Sequence, residues 1–548
     1  MKTFLTIVLL FVITAHFYGQ DIQSSAYILF GNAEELSEDD FLKLERLAEH
    51  PLDINKAKEA ELAESGLFSA YQIASLSDYK SRHGALYSVT ELALLDGFGE
   101  YFAKAVAPFI TFKASDWPPE GKKRVCGSSN SRYQLKNGSG SWVTRNSLKY
   151  SNYSAGLAHK RGQSEPAWFL GWDKDGTKIT AGNYNLRFGQ GLVLWSGLTF
   201  SGVTSPLSLY KRGTGLSGST SLNGSSQRGL AVQSRGGRLS ATGFVSFPGK
   251  DILSGGNLSL LLTSGQIGIT GYIGKAAGNN GSYSAISAEG RFCLYGKDIF
   301  TEIAFEPAGR AFAGVAGMVF PVGKGQAGIQ ARLFTKNYSG IYAGAVRAWS
   351  KTSDEAAMAF SLGYGGFSFS ADYAGKLSVN KKQLKIGASE VISFGPALSD
   401  KILIKYRWNN YGSAKQRSEI RNDLCFTADP FKANLRLDTV NSNKIGLLSY
   451  LEGAAEWKDK GQIWLRGTIF MADNWDDRIY SYERDAPGGF LVPAYYGRGW
   501  AASILIKKKL QPWRWNSLTL YLRASHTAWW TQGKAPANEV RGAINFAF

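Results

Sequence analysis

From about Trp117 to the C-terminus, apolar and polar residues alternate with a period of two. In residues 433–438, for example, Ala and Leu at the odd positions alternate with Asn, Arg and Asp at the even positions, and residues 329–334 and 518–525 repeat this pattern. Successive side chains of a strand point to opposite faces of its sheet, so this period predicts strands with one apolar and one polar face.

Tight turns separate these runs, and most contain glycine, which adopts the positive φ that hairpin turns need. They lie at residues 174–176, 235–237, 264–265, 323–325 and 458–461. Beyond the first 20 residues the chain has no apolar run long enough for a spanning helix, so membrane insertion requires a closed barrel. We therefore predict a mainly β protein, a large transmembrane antiparallel β-barrel of roughly 22–26 strands. A soluble β-solenoid or sandwich is the alternative.

Before this region, the chain has a helical period. Apolar residues recur at spacings of three and four, as in Phe41, Leu44 and Leu47, and we predict helices over about residues 36–110. The segment resembles the tandem helix-hairpin-helix domain of competence DNA-receptor proteins. The resemblance covers about sixty residues, and the matching motifs lie at residues 53–57, 61–62, 78–80, 83–89, 91–99 and 105–110.

The second predicted hairpin carries the full turn Gly97-Phe98-Gly99, whereas the first keeps Gly66 but has Phe68 in place of the second glycine. In family members that bind nucleic acid, this turn opens a helix whose free N–H groups hold a phosphate. The resemblance therefore implies either a phosphate contact or a docking contact at Gly66, Gly97, Phe98 and Gly99.

The net charge of the helical region disfavours DNA binding. Residues 21–113 contain 16 acidic and 8 basic residues, a net charge of −8, whereas residues 114–548 contain 28 acidic and 53 basic residues, a net charge of +25. Asp96 and Glu100 flank the intact turn. Because DNA binding depends on cations that neutralise phosphates, we favour a docking or plug module over a DNA-binding one.

The two ends of the chain indicate where the protein resides. Lys2, an apolar run from Phe4 to Ala15 and the small residue Gly19 are typical of a secretory signal peptide over residues 1–20. The final strand ends on Phe548, which resembles the C-terminal signal of bacterial outer-membrane β-barrels. We expect residues 21–113 to form a periplasmic helical domain and residues 114–548 to form the barrel in outer-membrane lipid.

The most unusual segment is residues 182–197, followed by a Ser- and Gly-rich stretch at residues 198–227. It resembles a segment of large Bacteroidetes outer-membrane proteins that also carry an N-terminal helix-hairpin-helix region. Glycine in a strand marks a bend or a close backbone approach. We interpret the segment as a lumen constriction or, alternatively, as an ordinary bulge with a surface loop; its candidate residues are Arg187, Gly189, Gln190, Gly191 and Trp195.

Several cations fall on the polar strand faces: Arg187, Arg332, Lys405, Arg407, Arg436, Arg466 and Arg523. Such a ring would favour anions. The interpretation we favour is a hydrated lumen in which nearby carboxylates, such as Asp438, balance these charges.

Known catalytic and ligand-binding motifs are missing from the sequence. There is no nucleophile elbow, zinc-protease motif or phosphate-binding loop, and neither His159 nor His526 has a recognisable serine partner. Three cysteines and five histidines form no ligand spacing, so we expect no enzyme, metal or cofactor. The sequence predicts a channel or an accessory part of an outer-membrane transport or assembly machine, with a possible periplasmic or outer-membrane protein partner. DNA uptake is the alternative.

Overall fold

The computed structural model describes residues 51–112, 125–196, 202–276, 281–395, 397–412, 414–457, 460–486, 489, 491–513, 516–530 and 534–548, together with residues 29, 44, 47 and 48. The predicted signal peptide at residues 1–20 lies outside these residues. None of the described helices is long and apolar enough to cross a bilayer.

The N-terminal region is a small helical segment. Its helices are α1 (Glu59–Ser65), α2 (Ala70–His83), α3 (Val89–Ala93) and α4 (Gly99–Val106). Ser69 caps α2 by accepting from the Gln72 backbone N–H at 3.2 Å, and the Gln72 side chain accepts from the Ser69 N–H in return. Two short parallel strands, β1 (Leu52–Asp53) and β2 (Ile110–Thr111), join the beginning of this segment to its end.

The barrel follows, and its strands match the prediction from alternation. Within the described residues, 24 strands close into one antiparallel barrel, in which β3–β7, β9–β24 and β27–β29 form the wall. The short strand β8 continues the line of β6 beside the end of β7. The strands are β3 (Val125–Lys136), β4 (Ser139–Tyr150), β5 (Tyr153–Lys160), β6 (Ala167–Lys174), β7 (Thr177–Arg187), β8 (Gly215–Gly218), β9 (Gln227–Gly236), β10 (Leu239–Ser246), β11 (Ile252–Leu262), β12 (Gly265–Lys275), β13 (Ser282–Leu294), β14 (Lys297–Glu306), β15 (Ala311–Val322), β16 (Gly325–Phe334), β17 (Glu355–Tyr364), β18 (Phe367–Gly375), β19 (Lys382–Ser393), β20 (Leu398–Asn409), β21 (Gln416–Ala428), β22 (Phe431–Asn441), β23 (Ile445–Trp457), β24 (Gly461–Ala472), β25 (Ile479–Tyr480), β26 (Ala494–Tyr495), β27 (Gly497–Trp513), β28 (Asn516–Trp529) and β29 (Ala537–Ala547).

The last strand closes the barrel by pairing with the first wall strand, from Glu539 opposite Lys136 to Ala547 opposite Ser128. Phe548 extends this pairing, because its backbone exchanges two hydrogen bonds with Gly127, at 2.8 and 3.0 Å. Closure leaves no free sheet edge, which is the condition for a sheet to cross lipid.

Burial is inverted relative to a soluble protein. Neighbouring residues of β14 show this, since the carboxylate residue Glu302 is 1% exposed whereas Ile303 is 63% exposed. On β16, Arg332 is buried and Leu333 is exposed. The apolar face therefore lies outside and the polar face inside, as a lipid-embedded barrel requires.

The two ends of the barrel differ. At one end most connections are two-residue turns, such as Asp175-Gly176, in which both residues have positive φ. Three long loops leave the other end. We call them loop A (residues 188–196 and 202–226, between β7 and β9), loop B (residues 335–354, between β16 and β17) and loop C (the described residues between β24 and β27).

The outward face provides the first test. Ile303→Arg should lower the free energy of unfolding in lipid vesicles by about 2–4 kcal/mol, because a cation would be placed among acyl chains. Tyr295→Arg is the control, since Tyr295 is fully exposed in a turn, and it should change little. Equal stability of the two variants in a denaturant titration would contradict a lipid-facing wall.

Candidate functional site

Strand β7 ends at Arg187, and the chain then turns into the lumen. Gly189 and Gly191 allow this turn, with φ of +58° and +82°, values that residues with a side chain rarely adopt. The N–H of Gly191 donates to the Phe188 carbonyl at 3.2 Å and closes the turn. The glycine pair that the sequence singled out thus lies where the chain leaves the wall.

A carboxylate on the inner wall holds this turn. Oε2 of Glu302, on β14, accepts from the Gln190 N–H at 2.6 Å and from the Leu192 N–H at 3.1 Å. A Cβ built on Gly189 would lie 2.7 Å from Glu302 Oε2 and 2.8 Å from Glu289 Oε2, so only glycine fits here.

Loop B interlocks with loop A. The Gly344 N–H donates to the Gly191 carbonyl at 2.8 Å, and the Tyr338 hydroxyl donates to the Leu192 carbonyl at 2.6 Å. Glu306, four residues further along the inner face of β14 than Glu302, accepts from the backbone N–H groups of loop B at residues 339 and 340. Two carboxylates of one strand therefore hold two inward loops.

Arg187 and Trp195 complete the segment. The Arg187 Nε donates to the Ser196 carbonyl at 3.0 Å, and its guanidinium lies 5.8 Å from the centre of the Trp195 ring. Gln190 is buried, and its Oε1 accepts from the Lys211 N–H at 2.9 Å. All five predicted constriction residues thus meet inside the barrel.

The glycine turn of the helical segment also faces the barrel. A Cβ built on Gly99 would lie 2.9 Å from Nε2 of Gln326, on the inner face of β16, and the Gly97 backbone lies near the Cys293 thiol on β13. Phe98 is buried at 2% exposure. Gly66, in the first hairpin, has positive φ but nothing within 4 Å of an added Cβ.

Phe68, which the sequence has in place of a second glycine, lies in the core of the helical segment. It is fully buried, and its ring centre lies 6.0 Å from that of Phe98 and 6.2 Å from that of Phe102. Phe68 is therefore a core residue that packs the start of α2 against α4 and the turn before it.

The helices contact the inner wall at several strands. The Tyr101 ring of α4 lies where a Cβ on Gly363 of β17 would point, and Glu61 of α1 pairs with Lys149 of β4 at 3.0 Å. Burial raises the pKa of Tyr71 in α2 to about 12, with a smaller contribution from the Cys293 thiol. Tyr71 itself is 7% exposed, so its ring is buried in this contact.

On the inner wall, arginines pair with carboxylates of nearby strands and of loop C. Arg332 donates to Glu355 at 2.5 Å and to Asp372 at 2.8 Å. Further pairs follow the wall to loop C: Arg421–Asp438, Arg436–Asp423, Arg466–Glu452, Arg523–Glu483 and Arg541–Asp485. Most of the cations that the sequence placed in the lumen are thus balanced, which agrees with the interpretation we favoured.

Sequence reasoning did not identify Glu302, Glu306 or loop B. Alternation puts Glu302 on the polar face, but its partners are 112 and 110 residues away. In the described part of the chain, no three His, Cys, Asp or Glu side chains are grouped to hold a metal ion.

Known structures offer only distant likenesses. OccK5 (OpdH) of Pseudomonas aeruginosa aligns with a TM-score of 0.31 and 9% identity over 77% of this chain and 97% of that one. The translocation pore of the P pilus usher PapC aligns with a TM-score of 0.37 and 12% identity over 77% and 99%. No family model and no curated protein matches the chain. These likenesses assign neither a family nor a function.

Substituting alanine for Gly189 tests the turn. Gly189→Ala should destabilise loop A through positive φ and through the clash with Glu302. The matched control is Gly224→Ala, also in loop A at φ +68° but with open space around its Cβ, which should incur only the φ cost of about 1–2 kcal/mol. Limited proteolysis of loop A in folded protein measures the difference. Equal protection of the two variants would contradict a tightly seated turn.

Proposed function

We propose that the protein is an outer-membrane channel whose lumen is closed by its helical segment together with loops A, B and C. The inverted burial of the wall supports the membrane location, because a soluble barrel would not expose rows of Ile and Leu. The paired charges inside support a hydrated lumen.

The proposal that the helical segment plugs the lumen rests on the contact of Tyr101 with Gly363. Gly363 lies on the inner face of β17, so Tyr101 occupies space that would otherwise belong to the lumen. Phe102 adds to the closure, because the Arg212 guanidinium of loop A lies 5.1 Å from its ring centre. Helices and inward loop therefore share one apolar core inside the barrel.

The position of these contacts supports an orientation of the barrel in the membrane. Lys149, Cys293, Gln326 and Gly363 all lie within a few residues of the short turns. Outer-membrane barrels have short periplasmic turns and long external loops. On this basis the helical segment lies at the periplasmic mouth, where it could also dock a partner protein.

Nucleic-acid uptake is less well supported. A phosphate would need free N–H groups at Gly97-Phe98-Gly99, but this turn packs against Gln326 and Cys293. Its neighbours Asp96 and Glu100 are anionic. We therefore propose docking to the barrel, rather than to DNA, as the role of the turn.

Single-channel recording of the full-length protein tests the plug. Gly363→Trp places a large ring where Tyr101 lies and should displace the helices, so conductance should rise several-fold. Gly453→Trp is the control, because Gly453 lies on the exposed face of β23 with nothing near an added Cβ. Unchanged conductance in Gly363→Trp, with both proteins folded, would contradict a plug.

DNA binding is a separate test. We expect the full-length protein to show no binding to a labelled duplex at near-physiological salt, because cationic contacts to phosphates are missing from the turn. Fluorescence anisotropy over a salt series measures this. Binding that weakens steeply as salt rises would favour the uptake alternative.

A further inference from the structure

A cavity of about 150 Å³ lies inside the barrel, between α2, loop A and the inner faces of β9–β13. An engineered cavity of similar volume admits a benzene molecule. The space therefore suits a small molecule of about the size of an amino acid or of the smallest dipeptide, glycylglycine.

The cavity is lined by more cations than anions. Its carboxylates are Glu59 and Glu289, and amide and hydroxyl side chains such as Gln190 and Ser259 add hydrogen-bonding groups. Its five cationic residues are Arg187, Lys211, Arg235, Arg238 and Arg291. An anionic group is thus favoured near the cations.

Glu289 distinguishes this cavity from the rest of the lumen. Among the described residues, its carboxylate has no hydrogen bond or ion pair, whereas the lumen carboxylates Asp438 and Glu452 each pair with an arginine. The residue directly opposite on β14 is Glu302, a second carboxylate that is engaged with loop A. An unpaired carboxylate beside a like charge is unfavourable, and a cationic group of a ligand would relieve it.

Opposite charges therefore lie close together on one wall strand. Glu289 and Arg291 are two residues apart on the inner face of β13, about 7 Å along the strand. Arg291 donates to Asp298 at 3.1 Å and lies 4.5 Å from the Tyr210 ring centre, so its guanidinium is held in place. Lys211 extends the cationic side from loop A.

We propose that this cavity is a binding site for a small zwitterion, an amino acid or the smallest dipeptide. Its ammonium group faces Glu289, and its carboxylate faces Arg291 and Lys211. The role of this ligand as a transported substrate rests on the proposed channel function, whereas binding itself does not.

Isothermal titration of the full-length protein in detergent tests the site without requiring conduction. Glycylglycine carries both charges, N-acetylglycine only the anionic one and glycinamide only the cationic one. We expect glycylglycine to bind about tenfold more tightly than either of the others, since each lost ion pair removes part of the binding energy.

Glu289→Gln should weaken glycylglycine about tenfold and leave N-acetylglycine unchanged or tighter. Glu165→Gln is the matched control, because Glu165 is exposed, pairs with Arg228 and lies outside the cavity; it should bind like wild type. Heat-modifiable migration confirms that each variant is folded.

Three results would overturn the proposal: no binding of any probe, equal binding of glycylglycine and N-acetylglycine, or unchanged glycylglycine binding in Glu289→Gln. Equal binding would identify a simple anion site with a neutral Glu289. Conductance changes in Gly363→Trp are independent of these results, so failure of the plug and failure of the site are distinguishable.

Discussion

Every backbone N–H and C=O in a membrane needs a partner, and in this chain the sheet satisfies that need by closing on itself. The pairing of β29 with β3, extended by Phe548 and Gly127, removes the last free edge. Closure then fixes which face of each strand meets lipid. Apolar residues such as Ile303 face outward, and polar residues such as Glu302 face inward, so the charges of the wall are confined to the lumen.

Those confined charges organise the interior. A buried ion is unfavourable unless it is paired or hydrogen-bonded. Arginines on the wall pair with carboxylates on neighbouring strands and on loop C, whereas Glu302 and Glu306 accept instead from the backbones of loops A and B. Glu355 does both, because it pairs with Arg332 and accepts from the Ala348 N–H of loop B. The wall thus holds the loops that fill it.

The barrel could be predicted because alternation is a local signal. Residues 329–334 show the two-residue alternation within six positions, and the glycine turn at Asp175-Gly176 is an equally local signal. A bend or close backbone approach at Gly189 was predicted for the same reason. The contact of Glu302 with Gln190 and the interlock of Gly344 with Gly191 could not be predicted, because they join segments more than 100 residues apart. The position of Tyr101 against Gly363 depends on the barrel itself, and no periodicity indicates it.

The central claim is that the helical segment sits inside the barrel mouth. Cysteines at Gly99 and Gln326, in a background with Cys126, Cys293 and Cys425 replaced by serine, can be joined by a short bifunctional thiol reagent in intact outer membranes. The account predicts efficient crosslinking of this pair. It predicts no crosslinking when the second cysteine replaces Ile329 instead of Gln326. Ile329 lies on the same strand as Gln326, β16, but faces outward. If every cysteine is reactive, either equal crosslinking of the two pairs or no crosslinking of either pair would contradict a helical segment inside the barrel mouth.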